Sequence, residues 1–302
     1  MAAAGLLLGL LAAGCRNPTV PEVVVYTSVD QPHAQPVLEA FQEWSGIRVR
    51  PVYDVEASKT TGLVQRLAAE RDQPRADVYW SSEVAQTLWL SDQGVLASWH
   101  EMGLRARVIL VNTDRVAEAR TPTRLWDLVD ERWAEGEVAV ANPLFGTTFT
   151  HAAALYATLG PERTRAFFQT VRDGGTRVVD GNATVRDLVA SGEVAVGLTD
   201  NDDAAGAIRR GAPVRVVVPG SAEDGALFIP GTVALVAEAP NPAQGRALVD
   251  YLLSEEVERG LIEVGFFHAS VRSPPPGAEI SWPAVSEQVP RAREELREMF
   301  LR

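Results

Sequence analysis

The sequence predicts an α/β protein with mostly parallel sheets, and three observations carry that expectation. From Val23 onward, short β-branched runs alternate with amphipathic stretches, the pattern of strand–helix units. The apolar runs end in polar turns that open the next helical stretch. No linker divides the middle of the 302-residue chain, so a protein long enough for about two domains is expected to build its lobes from interleaved segments.

The strands are expected at residues 23–26, 48–52, 77–79, 108–111, 138–141, 178–179, 194–198 and 214–218, where valine dominates. Val37, Ala40, Phe41 and Trp44 share one face of the first helix, and Leu63, Val64 and Leu67 do so in the second. Further helices are expected over 84–92, 150–159, 163–172, 184–190 and 242–253, with a last one near 291–301. The run Pro274-Pro275-Pro276 marks a crossing or surface connection before that last helix.

The chain carries 40 acidic and 28 basic residues, a formal net charge of −12. That balance argues against a sequence-independent grip on nucleic acid, which needs a basic face to displace phosphate counterions. The single cysteine, Cys15, excludes a disulfide framework and a thiolate metal site or nucleophile from the mature domain.

Met1 to Gly14 holds no charge and is almost entirely Ala, Leu and Gly. A membrane span needs about 20 apolar residues, so residues 1–14 read as a signal-peptide core, although no Lys or Arg precedes it. The segment ends in Leu11-Ala12-Ala13-Gly14-Cys15, which resembles a bacterial lipobox. The resemblance implies that Cys15 is acylated and becomes the N-terminus, with residues 15–22 as lipidated tether. An extracytoplasmic protein held to the membrane by lipid alone is then expected.

In open α/β sheets, ligands bind beyond the carboxyl ends of the strands. The turns there read Tyr26-Thr27-Ser28-Val29-Asp30, Trp80-Ser81-Ser82-Glu83, Asn142 to Thr148, Asp180-Gly181-Asn182 and Thr199 to Asp203. Taken singly, Ser81, Ser82, Thr148 and Thr184 have an ordinary explanation as helix caps. Gly146-Thr147-Thr148 sets free backbone N–H groups beside two hydroxyls, the makings of an anion site. Asp200, Asp202 and Asp203 lie within four residues after an apolar strand. Carboxylates also favour the positive end of a helix dipole, so the cluster is either a solvated helix start or a site facing a cation. Such oxygens suit a hard metal, an ammonium or a guanidinium equally.

These residues, in this order, resemble the periplasmic ferric-ion-binding proteins, substrate-binding components of ABC importers. The resemblance covers Val23 to about Gly265. It rests on Val24 to Ser28, Ala76 to Trp80, Ala141-Asn142-Pro143 with Gly146-Thr147, Gly192 to Leu198, and the late helix Ala247 to Leu252. It implies a two-lobed type II periplasmic binding protein fold with interleaved segments and a hinge of crossing strands. Lobe 1 is expected from 23–105 with 226–272, and lobe 2 from 106–225 with 273–302. The resemblance further implies capture of a small ligand by hinge closure, delivery to an ABC permease with its ATPase, and action as a monomer.

Ferric relatives commonly place two tyrosines after a Gly-Leu-x-x-Asn sequence. Here Gly197-Leu198-Thr199-Asp200-Asn201 is followed by Asp202-Asp203, so carboxylates hold both positions. A histidine of the first loop aligns with Asp30, and an acidic ligand from the third-strand loop with Glu83 or, one residue earlier, Ser82. The implied cation set is Asp30, Glu83, Asp202 and Asp203. The implied anion set is Gly146, Thr147 and Asn182, with Asn201 in the matching turn; Ser28, Thr148 and Asp200 complete the ligand contacts. No cofactor is required; Fe(III) or another hard cation is the cargo implied, with or without an anion. The alternative is a zwitterionic or phosphonate-type organic solute, or a ligand sensor in place of an importer component.

An enzyme is not expected. His33, His100, His151 and His268 form no short metal spacing, no Gly-x-Ser-x-Gly elbow occurs, and adjacent Asp202 and Asp203 do not face each other for acid–base work. His151 follows the Gly146 turn closely enough to line a cleft.

Overall fold

The computed structural model describes residues 20–54 and 62–301. The signal segment and Cys15 lie outside the described residues. Chain order begins β1 (Glu22–Thr27), α1 (Gln31–Ser45), β2 (Arg48–Tyr53), α2 (Gly62–Ala69), β3 (Val78–Ser81), α3 (Ala85–Asp92) and β4 (Leu96–Asn112). It continues β5 (Val138–Ala141), α4 (Gly146–Leu159), α5 (Pro161–Asp173), β6 (Arg177–Val179), α6 (Asn182–Ala190), β7 (Val196–Asp200), α7 (Asn201–Arg209) and β8 (Val214–Val217). It ends with β9 (Phe228–Val236), α8 (Pro242–Leu252), α9 (Glu255–Glu263) and α10 (Trp282–Phe300).

The strands run in the order β2-β1-β3-β9-β4-β7-β5-β6, with β8 pairing β4 off that path. Strand β4 joins two lobes. Its residues up to Ala106 pair with β9, whereas Arg107 onward pairs with β7 and β8. The second lobe is thus built from the segment between β4 and β9 together with the C-terminal α10, and these two strands cross between the lobes. Helices cover both faces of each half: α1, α8 and α9 on one face of the first, α2 and α3 on the other. In the second, α4, α5 and α10 lie on one face and α6 and α7 on the other. This is the expected two-lobed fold with interleaved segments.

The expectation of mostly parallel sheets requires correction. β1 runs parallel to β2 and β3, and β5 to β6 and β7. Every pairing of β9 and β4 is antiparallel. Crossing strands leave one lobe in the direction that the next must return, so they cannot follow the βαβ rule of parallel units.

β9 is buried along its whole length, yet Pro230-Gly231 at its centre reads as a turn in sequence. The strand tolerates the proline because no ladder bond is lost there. Pro230 lies beyond the end of β3, where Ser81 pairs with Thr232. On the other side it faces Leu104, whose N–H donates away from it to the Ala269 carbonyl at 2.7 Å. The bulge beside Leu104 is made by Gly103, whose φ of 54° and the Phe267 ring 2.1 Å from its would-be Cβ exclude any side chain.

Candidate ligand-binding cleft

Four helices start at the carboxyl ends of strands and point their N-termini into one cleft of about 1080 Å³. They are α1, α4, α6 and α7, and none has a side-chain cap hydrogen bond at its N-terminus. The cleft is lined from lobe 1 by Asp30, Gln31, Pro32, His33 and Ser82, and from lobe 2 by Gly146, Thr147, Thr148, Asp180, Asn182, Asp200, Asp202 and Asp203. The partial positive charge at each helix start, with first-turn amides left unclaimed by caps, favours an anion.

The acidic cluster is real but it is not bare. Asp200 has N-cap geometry at α7, with φ −97° and ψ 155°, yet its carboxylate does not cap. Burial pushes its pKa up, but Arg107 and Arg105, helped by the Thr147 hydroxyl, overcome that and hold it down at about 2. Arg107 donates to Asp200 Oδ1 at 2.5 Å, and Arg105 to Oδ2 at 3.1 Å. Arg105 also donates to Asp202 Oδ1 at 2.6 Å. Arg105 is held charged by these acids against the cost of burial. Two carboxylates offered to a cation are therefore already engaged by guanidinium groups of the chain itself.

Asp203 differs. Arg186 donates to it at 3.0 Å, but burial first, and then Asp202 and Asp200 beside it, push its pKa up to about 7. Five aspartates and four arginines line the cleft, and Arg107 behind them brings the formal charges level. Unlike Asp200, Asp203 has its charge disfavoured by its surroundings, so added positive charge would be favoured there. Ligand-type oxygens of Asp200, Asp202 and Asp203 lie within 4.8 Å of one another, close enough to share one cation.

The anion-type side chains turn inward. Thr147 donates to Asp200 Oδ2 at 2.6 Å and accepts from Asn182 Nδ2 at 2.9 Å. Thr148 Oγ1 accepts from Arg107 at 3.3 Å, as does Asn182 Oδ1 at 3.1 Å. These groups hold the floor of the site, leaving the backbone amides of α4 and α6 to face the cleft.

Three sequence-selected residues fall outside the cleft lining. Glu83, 1% exposed, accepts from the amides of Ala85 and Gln86 at the start of α3 and from Thr150 Oγ1 of the other lobe at 3.2 Å. It is a buried cap and interlobe strut, not a ligand-facing acid. Ser28, 2% exposed, accepts the Ser82 amide at 3.1 Å and so shapes the turn behind Ser82. Asn201 accepts the Ala106 amide at 2.8 Å and donates to the carbonyls of Gly265 and Phe266, at 2.9 and 3.2 Å. It ties lobe 2 to the hinge and to lobe 1. His151 is also removed from the cleft: burial, then the Arg107 charge, push its pKa down to about 3, and Nε2 lies 3.1 Å from the Gly225 carbonyl.

Sequence reasoning missed Arg105, Arg107, Arg186, His33 and Phe145. Two arginines at alternate positions in the apolar run Leu104–Val111 were the available signal, because buried guanidinium groups in a strand demand carboxylate partners. His33, half-buried against the Phe266 ring at 5.0 Å, has its pKa lowered by burial against the pull of Asp202 and Asp30. Phe145 stands at the N-cap of α4, 58% exposed at the cleft lip.

Known proteins place this architecture. A family model described as bacterial extracellular solute-binding protein matches residues 60–285. An uncharacterised protein of Haemophilus influenzae is 25% identical over 282 residues, 83% of this chain and 78% of that one. Iron-bound HitA from Pseudomonas aeruginosa superposes with a TM-score of 0.81 at 19% identity, covering 93% of this chain and 99% of the other. AfuA from Actinobacillus pleuropneumoniae, with fructose-6-phosphate bound, gives 0.77 at 18% identity over the same shares. The ferric binding protein from Campylobacter jejuni gives 0.80 at 16% identity, covering 92% and 99%. At these identities the structural likenesses establish the fold, a two-lobed periplasmic binding protein. Proteins of the matched family bind solutes outside the cytoplasm for delivery to an ABC transporter. With three quarters of its length under that family's model, the chain belongs to the bacterial extracellular solute-binding proteins.

Proposed function

We propose that the cleft captures a small organic solute carrying both an anionic group, of phosphate, phosphonate or carboxylate type, and a cationic one. The anion sits at the amides of α4 and α6, and the cation at Asp203 with Asp202. One observation carries this reading: Arg105 and Arg107 already neutralise Asp200 and engage Asp202, so the floor is charge-balanced rather than a bare nest of acids. A cleft of about 1080 Å³ also exceeds what a single ion needs, and falls at the size of clefts that enclose drug-sized molecules. AfuA, the structural neighbour with fructose-6-phosphate bound, offers a precedent on the same fold.

A second reading has its own support. Clustered oxygens of Asp200, Asp202 and Asp203 suit a hard cation such as Fe(III), and HitA is iron-bound. The positions that hold tyrosines in ferric relatives carry carboxylates here.

Ligand touching both lobes stabilises the closed form by its differential affinity for it. The lobes are assigned to 23–105 with 226–272 and to 106–225 with 273–302. The protein acts as a monomer, held to the membrane through acylated Cys15, and presents its closed form to a permease with its ATPase.

Calorimetric titration separates the readings. Phosphate- and phosphonate-bearing amines are expected to bind the wild type, and Asp202→Ala with Asp203→Ala together to abolish that binding without unfolding the protein. Tight binding of ferric citrate with no response to the organic set would select the metal reading. Cys15→Ser should release the protein from membranes; a mutant that stays membrane-bound would remove the anchor.

A further inference from the structure

The end of lobe 1 farthest from the cleft exposes an indole. Trp44, in the last turn of α1, is 73% exposed. It stacks on Tyr251 of α8 at 5.7 Å, and both rings lean on Phe41, which is fully buried. The three rings form a ladder from core to surface, so Trp44 is braced rather than loose. Holding an ordered indole in water forgoes the burial that aromatic side chains otherwise supply.

The chain enters the fold at the same edge. The Pro21 carbonyl accepts the Arg48 amide at 2.8 Å, four residues beyond Trp44, and Glu22 opens β1 in register with Arg48. Strand β1 then runs away from this edge toward the cleft, which Asp30 lines. Cys15 lies six residues before Pro21, a reach of at most about 20 Å of extended chain.

We infer that this edge of lobe 1 rests on the lipid bilayer, with Trp44 seated in the headgroup region. Tryptophan favours that layer because its ring is apolar on one side and donates a hydrogen bond on the other. The inference rests on the proposed acylation of Cys15, whose short tether holds the edge beside the membrane. No basic patch drives it: of the arginines beside the Pro21–Glu22 edge, Arg50 is paired with Glu22, which leaves the exposed Arg48 alone. Contact through the ring should therefore persist when salt is raised.

The test uses the full acylated chain in phosphatidylcholine vesicles whose acyl chains are brominated near the headgroup. Wild-type fluorescence should be quenched beyond that of Trp44→Phe, and high salt should leave the difference in place. Equal quenching of the two proteins overturns the inference while leaving the anchor intact, provided that the protein floats with the vesicles. Failure to float overturns the anchor and this inference together. Protection of Trp44 from aqueous acrylamide that grows with protein concentration at fixed lipid assigns the face to a second copy, and also overturns it.

Discussion

Arg105 of the crossing strand donates to Asp202 at the start of α7 at 2.6 Å, with both side chains under a tenth exposed. The contact links the hinge to the ligand floor, because the same guanidinium reaches Asp200 at 3.1 Å. Breaking a buried pair from one side leaves a charge with no compensation, which costs about 3–5 kcal/mol. Arg105→Gln is therefore expected to lower unfolding stability by several kcal/mol in urea titrations at neutral pH and to recover part of it in acid, where the orphaned acids protonate. A loss below about 1 kcal/mol would mean that the pair is dispensable.

Asp203 sets a pH dependence. Its pKa in the fold, about 7, lies above the ordinary carboxylate value. Between those two values the folded state holds a proton that the unfolded state has lost, so stability of the ligand-free protein falls as pH rises toward 7. Asp203→Asn should accordingly stabilise the protein at pH 8 by roughly 2–4 kcal/mol and change little near pH 4. A cation bound at Asp203 must displace that proton. Affinity should fall up to about tenfold per unit as pH drops below 7. A flat calorimetric profile from pH 8 to 5 would contradict this.

Glu83 supports the fold from behind the cleft. Its carboxylate caps α3 and meets Thr150, and lies off the cleft. Glu83→Gln keeps one acceptor and should cost about 1 kcal/mol of stability. Ligand affinity should stay within about twofold, since no contact to the cleft changes. A large affinity loss at unchanged stability would return Glu83 to the site.

Asn201 offers a probe of closure. Its amide bridges Ala106 at the hinge and two carbonyls near Gly265. Gly265 itself packs so tightly on α7 that an added Cβ would lie 2.7 Å from the Ala205 Cβ. Asn201→Ala frees three backbone groups, two of them in the buried residues Ala106 and Phe266, and should shift the lobe arrangement, seen as a changed radius of gyration in solution scattering without ligand. Its fold should persist, with stability lower by about 2–3 kcal/mol. An unchanged radius would mean that the contact does not govern the hinge.

Much of this architecture was readable because valine runs and amphipathic faces report burial directly: β1, β2, β5 and β8 fall where the sequence put them. The crossing strands were not readable in full. The first half of β4 mixes polar and apolar residues, and Pro230-Gly231 disguises β9. α9 had a usable signal in Ser254, whose hydroxyl accepts the Val257 amide three residues on, followed by Glu255 and Glu256. α10 starts at Trp282 rather than near 291, running through Pro290 inside the helix. At the site, the polar turns located the cleft, and Asp30, Asn182, Asp202 and Asp203 do line it together. What sequence could not reveal was pairing across 95 residues between Arg105 and Asp200. Read alone, the acids looked like an unfilled cation site.

Native mass spectrometry with elemental analysis of the protein as purified from its own cells bears most directly on the ligand. A bound organic molecule bearing an anionic group is expected, released on partial unfolding, with iron well below one equivalent. Stoichiometric Fe(III) with no organic companion would contradict it.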